Sequence, residues 1–277
     1  MIPKIIHYCW FGGKPLPPLA LSCINSWKKF FPDYEIKEWN EKNFDVNQIK
    51  YTKEAYKQKK YAYVSDYARF KILKEYGGIY FDTDVEIIRS FKDIIIDNGN
   101  FFGFEVDPDG KNTPGIYAPK YCFAVNPGLG FGFEKNHPFL NDIIKKYSTL
   151  SFDGGEMNPW LKTIVAYTTE LLCKYGLENR KGIQTISFKK EESLSYSYIT
   201  IYPSDYFAPT NVITGKTHIT KNTRSIHRYM GSWNTSENKN VYTKTKCLLK
   251  NLIPEYLIII YNKIQRRKYK IEYRPSK

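Results

Sequence analysis

The sequence predicts an α/β fold built on a parallel sheet. Three observations carry this: a strand–helix–strand order over residues 4–39, a helix-to-strand junction at Gly77-Gly78, and an aromatic content of 17%, with 24 Tyr and 17 Phe in 277 residues. The first two are the signature of parallel crossovers. The third supplies apolar bulk far beyond that of a disordered chain. Lys4 to Tyr8 is a short β-type run, Phe11 to Pro18 a Gly/Pro loop, and Leu19 to Phe30 a helix with Leu19, Ile24 and Trp27 on one face. Pro32-Asp33 ends that helix, and Tyr34 to Trp39 reads as a second strand. Helical spacing of Tyr63, Tyr67, Phe70 and Leu73 predicts a helix stopped by Gly77-Gly78. Ile79-Tyr80-Phe81 follows as a buried strand, and Val85 to Ile88 resumes strand character.

Downstream, Phe101 to Glu105 and Tyr121 to Val125 read as strands, and Asn126 to Gly132 as a glycine-rich turn. His137 to Tyr147 and Trp160 to Tyr175 read as helices, the second stopped by Gly176. Ser187 to Tyr206 is β-rich. After Asn234 the composition shifts. The boundary divides a domain at 1–235 from a basic amphipathic helical extension at 236–277.

Charge supports that division. The formal net charge is +14, and residues 239–277 hold eleven Lys/Arg against Glu255 and Glu272. The extension therefore carries most of the excess and reads as attraction to an anionic surface. An apolar stripe including Leu248, Leu252, Tyr256 and Ile260 suits either a helix capping the domain or one lying on anionic lipid. Five widely spaced cysteines (Cys9, Cys23, Cys122, Cys173, Cys247) form no Cys-x-x-Cys pair and read as free thiols of a reducing compartment. No signal peptide and no run of about 20 apolar residues is visible. The expected location is the cytoplasm, peripheral on the cytoplasmic face of the inner membrane.

Candidate chemistry begins at Asp82 and Asp84. On a strand, residues i and i+2 share a face, so both carboxylates can converge. Two like charges there call for a cation, and oxygen ligands favour magnesium or manganese. A solvated turn is the alternative, but the apolar run Ile79–Phe81 before the pair speaks against it. Asp66 and Arg69 are i, i+3 neighbours on a helix, either a surface ion pair or groups for a sugar or phosphate. His227 suits a metal, and Trp233 offers a flat face. His7, His137 and His218 read as structural.

The segment Ile2 to Phe11, the block Ser65 to Val85, and His227 with Ser232-Trp233 together resemble the family 32 glycosyltransferases, whose Asp-x-Asp sugar-binding enzymes include bacterial capsule and lipopolysaccharide enzymes. The central block also resembles that of the large clostridial glucosylating toxins. The resemblance implies a GT-A (Rossmann-like) fold and transfer of a hexose from a nucleotide-diphosphate sugar, with retention, to a saccharide or lipid-linked oligosaccharide acceptor. It implies that Tyr8, Cys9 and Trp10 hold the nucleoside and that Ser65, Asp66, Arg69 and Gly78 face the donor. Asp82 then contacts ribose or metal-bound water, Asp84 binds Mn2+ (or Mg2+), His227 completes the metal site, and Ser232 and Trp233 close over the donor. The composition, rich in Lys, Ile, Asn and Tyr, favours a bacterial surface-polysaccharide enzyme, with UDP-Gal or UDP-Glc as donor and GDP-mannose next. Three alternatives have different signatures. A host-directed toxin-like enzyme needs delivery segments. A nucleic-acid-binding protein needs a recognition motif, and none is visible. A metal-dependent hydrolase with the same acids releases free sugar.

Overall fold

The computed structural model describes residues 1–109, 123–153, 163–189, 196–211 and 215–231. The extension at 236–277, the boundary before it, and Cys122, Ser232, Trp233 and Cys247 lie outside the described residues. The chain opens with β1 (Ile5–Cys9), α1 (Pro18–Phe30) and β2 (Glu35–Trp39), and β2 pairs parallel with β1. Then come α2 (Lys50–Lys57), α3 (Tyr61–Tyr76) and β3 (Gly78–Tyr80), which pairs parallel with the other edge of β1. Next are β4 (Val85–Ile87), α4 (Lys92–Asn98), β5 (Asn100–Val106) and β6 (Ala124–Val125). A 3₁₀ turn (Pro127–Leu129), β7 (Phe131–Phe133), α5 (Pro138–Ser148) and α6 (Ile164–Lys174) follow. The last elements are β8 (Gln184–Lys189), β9 (Tyr196–Tyr202), α7 (Ser204–Phe207) and β10 (Ser225–His227).

The main sheet has the order β2-β1-β3-β7-β5-β9-β8, with β6 beside β5. β7 runs antiparallel to both β3 and β5, so β1, β3 and β5 point the same way. Their carboxyl ends share one edge, where open α/β sheets bind ligands. β4 and β10 form a separate antiparallel pair. The α/β class expected from the sequence is the one observed, although the sheet is mixed rather than wholly parallel. The stretch read as a turn at Asn126 to Gly132 supplies the reason. Its Phe131 and Gly132 begin β7, whose two phenylalanines, Phe131 and Phe133, stack in the core against Phe102 and Phe139 respectively.

Side chains alternate along β1. Ile6 and Tyr8 enter the apolar layer with Trp27 of α1, while Cys9 enters the layer with α3 and α5. On α1 the buried face is Ala20, Cys23, Ile24 and Trp27, whereas Leu19, assigned to that face from spacing, is exposed. The helix begins with Pro in its first turn, where no N–H is needed. The elements not read from the sequence include α2, held by Tyr51, Thr52 and Ala55, the short helices α4 and α7, and the strand β10. α3 packs against α2, α5 and the sheet and is apolar on most sides, burying Val64, Tyr67, Ala68, Phe70, Ile72 and Leu73 together with Arg69.

The stop at Gly77-Gly78 is steric. Both residues take positive φ (65° and 104°), and a Cβ on Gly78 would lie 2.6 Å from the Ile5 carbonyl oxygen and 2.9 Å from His7 Nε2. Cys9, Cys23 and Cys173 are free thiols. No helix among the described residues is long and apolar enough to cross a membrane.

Candidate active site

The site is built at the carboxyl ends of β1, β3 and β5. Asp82 and Asp84 are not on a strand, as i and i+2 spacing had suggested. They sit in the turn between β3 and β4, closed by the Val85 N–H donating to the Asp82 carbonyl at 3.0 Å. They converge nonetheless, because each carboxylate is gripped from a different wall.

Asp82 belongs to the α3 wall. Arg69 Nη1 lies 3.2 Å from Asp82 Oδ1, and Arg69 Nη2 lies 2.9 Å from Asp66 Oδ1. Arg69 Nε donates to the Ser65 carbonyl at 3.1 Å, and the guanidinium lies 4.7 Å from the centre of the Tyr80 ring. The Tyr80 hydroxyl donates to Asp82 Oδ1 at 3.2 Å. The Arg69 side chain is 4% exposed, so this is no surface ion pair. Burial pushes the Asp66 carboxyl up to about 7 against the pull of Arg69. It also raises Asp82, where neighbouring Asp84 adds to the effect and Arg69 opposes it. Burial works against the charge of Arg69 too, yet Asp82, Tyr80 and Asp66 hold it firmly protonated.

Asp84 belongs to the β10 wall. Its Oδ1 lies 3.2 Å from His227 Nε2, its Oδ2 accepts the Met230 N–H at 2.7 Å, and its carbonyl accepts the Arg228 N–H at 2.9 Å. The chain achieves this wrap by turning at Tyr229, a non-glycine residue at φ 48°, and at Gly231. Burial alone would raise the Asp84 carboxyl, but the His227 bond and the Met230 N–H outweigh it and hold the group below its usual range. Burial likewise opposes charge on His227, and Asp84 overrides it to raise the imidazole above its usual value.

Asp82, Asp84 and His227 each present a ligand atom, and these atoms lie within 4.8 Å of one another. His227 Nδ1 is buried with no hydrogen-bond partner among the described residues. Two carboxylates and an imidazole whose Nε2 faces them fit a divalent cation of the magnesium or manganese kind.

Residues 17–101 match the glycosyltransferase sugar-binding region containing the DXD motif. An uncharacterized glycosyltransferase, L373, of Acanthamoeba polyphaga mimivirus is 34% identical over 155 residues, covering 52% of this chain and 55% of the viral protein. Inositol phosphoceramide mannosyltransferase 3 of Schizosaccharomyces pombe is 26% identical over 160 residues, covering 55% of this chain and 39% of the yeast protein. The chain thus spans about half the length, or less, of the curated relatives it matches. Among solved structures, the PaToxG glycosyltransferase is similar over 62% of this chain and 69% of its own, at 22% identity and a TM-score of 0.43. The galactosyltransferase LgtC, in complex with donor and acceptor sugar analogues, is similar over 61% of this chain and 70% of its own, at 17% identity and a TM-score of 0.29. The mixed α/β architecture agrees with the α/β class read from the sequence.

The remaining candidates divide. Tyr8 is buried, and its hydroxyl donates to Glu38 Oε2 at 2.7 Å. Cys9 is buried beside Arg69 and Tyr80, and burial pushes its thiol up to about 12. Half-buried Trp10 donates from its indole to the Lys14 carbonyl at 2.6 Å. Ser65 turns its hydroxyl back onto the Tyr61 carbonyl, so what it gives the site is its own carbonyl on Arg69. Gly78 stands at the other end of β3 from Asp82, packed against the Ile5 carbonyl and the His7 ring of β1.

Two residues were missed. Glu105 lies near the end of β5, a carboxylate that burial raises. Asn126 donates to Glu105 Oε1 at 3.1 Å and accepts the Gly128 N–H at 2.7 Å. Gly128 in turn lies against Asp82, whose Oδ2 occupies the space of a Cβ. The signal was present: Glu105 ends the apolar run Phe101–Phe104 as Asp82 ends Ile79–Phe81.

Proposed function

We propose that this chain is a metal-dependent retaining hexosyltransferase that moves a sugar from a nucleotide diphosphate to a saccharide or lipid-linked acceptor. The observation that carries it is the meeting of both DXD aspartates with His227 at the carboxyl edge of the sheet. Asp84 and His227 would hold the ion, with Asp82 beside them. Bound there, a divalent cation would neutralise the diphosphate as the glycosidic bond breaks. The chain's own groups do the rest. Arg69, locked by Ser65, Asp66 and Tyr80, fixes Asp82 in place and adds positive charge to that wall. Asp66 stands on the same wall to receive sugar hydroxyls. Cys9 and Trp10 end β1 on the nucleoside side, and Ser232 and Trp233 follow the Asp84 wrap directly and would close over the donor.

UDP-Gal or UDP-Glc remains the favoured donor, with GDP-mannose next. The yeast relative's name, a mannosyltransferase acting on a ceramide lipid, keeps mannose and a lipid acceptor in the test panel. We place the enzyme in bacterial surface-polysaccharide assembly on the composition alone. Asp84→Asn keeps side-chain shape and removes charge. Transfer should fall by more than about a hundredfold, beyond what loss of an outer partner of a metal ligand costs. Chelator should silence the wild type, and Mn2+ should restore it. A thermal-shift panel of nucleotide sugars with Mn2+ identifies the donor, since about 2.7 kcal/mol of stabilisation accompanies ligand at 100 times Kd. Full transfer in excess chelator refutes the metal-dependent reading.

The basic extension would anchor the enzyme on anionic lipid at the cytoplasmic face. Deleting residues 239–277 should abolish sedimentation with anionic liposomes and leave transfer to a soluble acceptor largely intact. A truncated protein that still pellets rules the anchor out.

A further inference from the structure

The Asp84 wall contains an unfinished hydrogen bond. His227 is 8% exposed, its Nε2 faces Asp84, and its Nδ1 is buried without a partner among the described residues. A histidine that ligates a metal through one ring nitrogen almost always donates the other N–H to a carboxylate, carbonyl or water. The neighbourhood of His227 offers one carboxylate outside the proposed ligand trio that acts on its ring, Glu105.

Three independent features bring Glu105 there. Phe101 and Gly103 of β5 pack on Phe207 of α7, and α7 in turn packs on β10, so α7 bridges β5 to the strand that carries His227. The register of β5 with β6 shifts between Phe104 and Val106, an irregularity that re-aims the side chain between them. Asn126 clamps Glu105 Oε1 while itself fixed by the Gly128 N–H, and Gly128 abuts Asp82. Tyr229 packs on the same histidine: its ring lies 4.3 Å from the His227 ring, centre to centre.

We infer that Glu105, held by Asn126, is the positioning residue of the metal site: with the ion bound it accepts the hydrogen bond of His227 Nδ1–H and so presents Nε2 to the ion. This rests on the metal-dependent reading above and adds a residue that the DXD pattern does not contain. The chain has four histidines, so their ring nitrogens can be resolved by long-range 1H–15N NMR of 15N-histidine-labelled full-length protein, with Mg2+ as the diamagnetic probe. The His227→Ala spectrum assigns the signal. The wild type should show His227 protonated at Nδ1. Glu105→Ala should lose that single tautomer, and Glu105→Gln, which keeps an acceptor oxygen, should restore it.

Binding of Mn2+ alone, followed by calorimetry, should weaken about 10–100-fold in Glu105→Ala. It should weaken less in Glu105→Gln. A His227 ring protonated at Nε2 with Mg2+ bound, or Mn2+ affinity unchanged in both Glu105 variants while His227→Ala loses it, overturns the role of Glu105 and leaves the metal site standing. Mn2+ affinity unchanged in His227→Ala and Asp84→Asn overturns the metal site and this inference together. Should Glu105→Ala not fold, Glu105→Gln decides on affinity: Mn2+ binding weaker than wild type supports the role, and wild-type Mn2+ affinity refutes it.

Discussion

His7 and His227 are both buried, and both belong to strands that carry the site, yet they are opposite kinds of histidine. His7 is finished. Its Nδ1 accepts the Trp39 indole N–H at 3.0 Å, and its Nε2 meets the Gly77 carbonyl at 2.9 Å. Those two bonds fix one neutral tautomer, and burial pushes its pKa down to about 4. His227 has one nitrogen on Asp84 and the other without a partner, and Asp84 pushes it up. Burial does not separate a structural histidine from a ligand. Satisfaction does: a ring with both nitrogens bonded has nothing left to bind, and a buried ring with an orphan nitrogen is costly unless something completes it.

The two ends of β3 can be told apart by what breaks them. The largest effect belongs to the charged end. Arg69→Ala leaves Asp66 and Asp82 beside each other without their cation. Removing one partner of a buried ion pair costs about 3–5 kcal/mol. Denaturant unfolding in the presence of chelator should show it. The exposed Lys71–Glu75 pair on the same helix should yield less than about 0.5 kcal/mol on Lys71→Ala. Equal losses at the two positions contradict the burial argument.

The neutral end should respond to acid. The folded-state pKa of His7 lies below its unfolded value, so between about pH 6.5 and pH 4 the unfolded chain binds a proton that the folded chain refuses. Stability therefore rises with pH through that window, is fully present above it, and is lost toward its lower end. The shift corresponds to about 3 kcal/mol. Wild type should lose that much more than His7→Asn between pH 7.5 and pH 4, because other titrations cancel in the comparison. Parallel curves for the two proteins mean that His7 does not titrate in this window.

Legibility in the sequence followed the range of the interactions. The order β1-α1-β2, the α3-to-β3 junction and Asp82-Thr83-Asp84 at a strand end rest on neighbours close in the chain, and each is found within a residue or two of the expected place. Asp66 and Arg69 were read as a pair because they are three residues apart on a helix. That Arg69 also grips Asp82, thirteen residues on, was not readable from that spacing. β7 was read as a turn because its glycines dominate locally, whereas in the sheet Gly132 admits the Phe101 ring, and Phe131 and Phe133 supply the burial.

By itself, then, the sequence determined the α/β class, the family resemblance and the two aspartates. All of these are written in short-range periodicity and in runs whose burial follows from composition. Only the tertiary structure decided which wall each aspartate belongs to. It brought His227 to Asp84 across 143 positions of chain, set Glu105 and Asn126 behind them, and packed Gly78 against β1. The physical reason is that charge, orphan nitrogens and close backbone approaches are properties of an environment. That environment exists only once distant segments have excluded water from the same small volume.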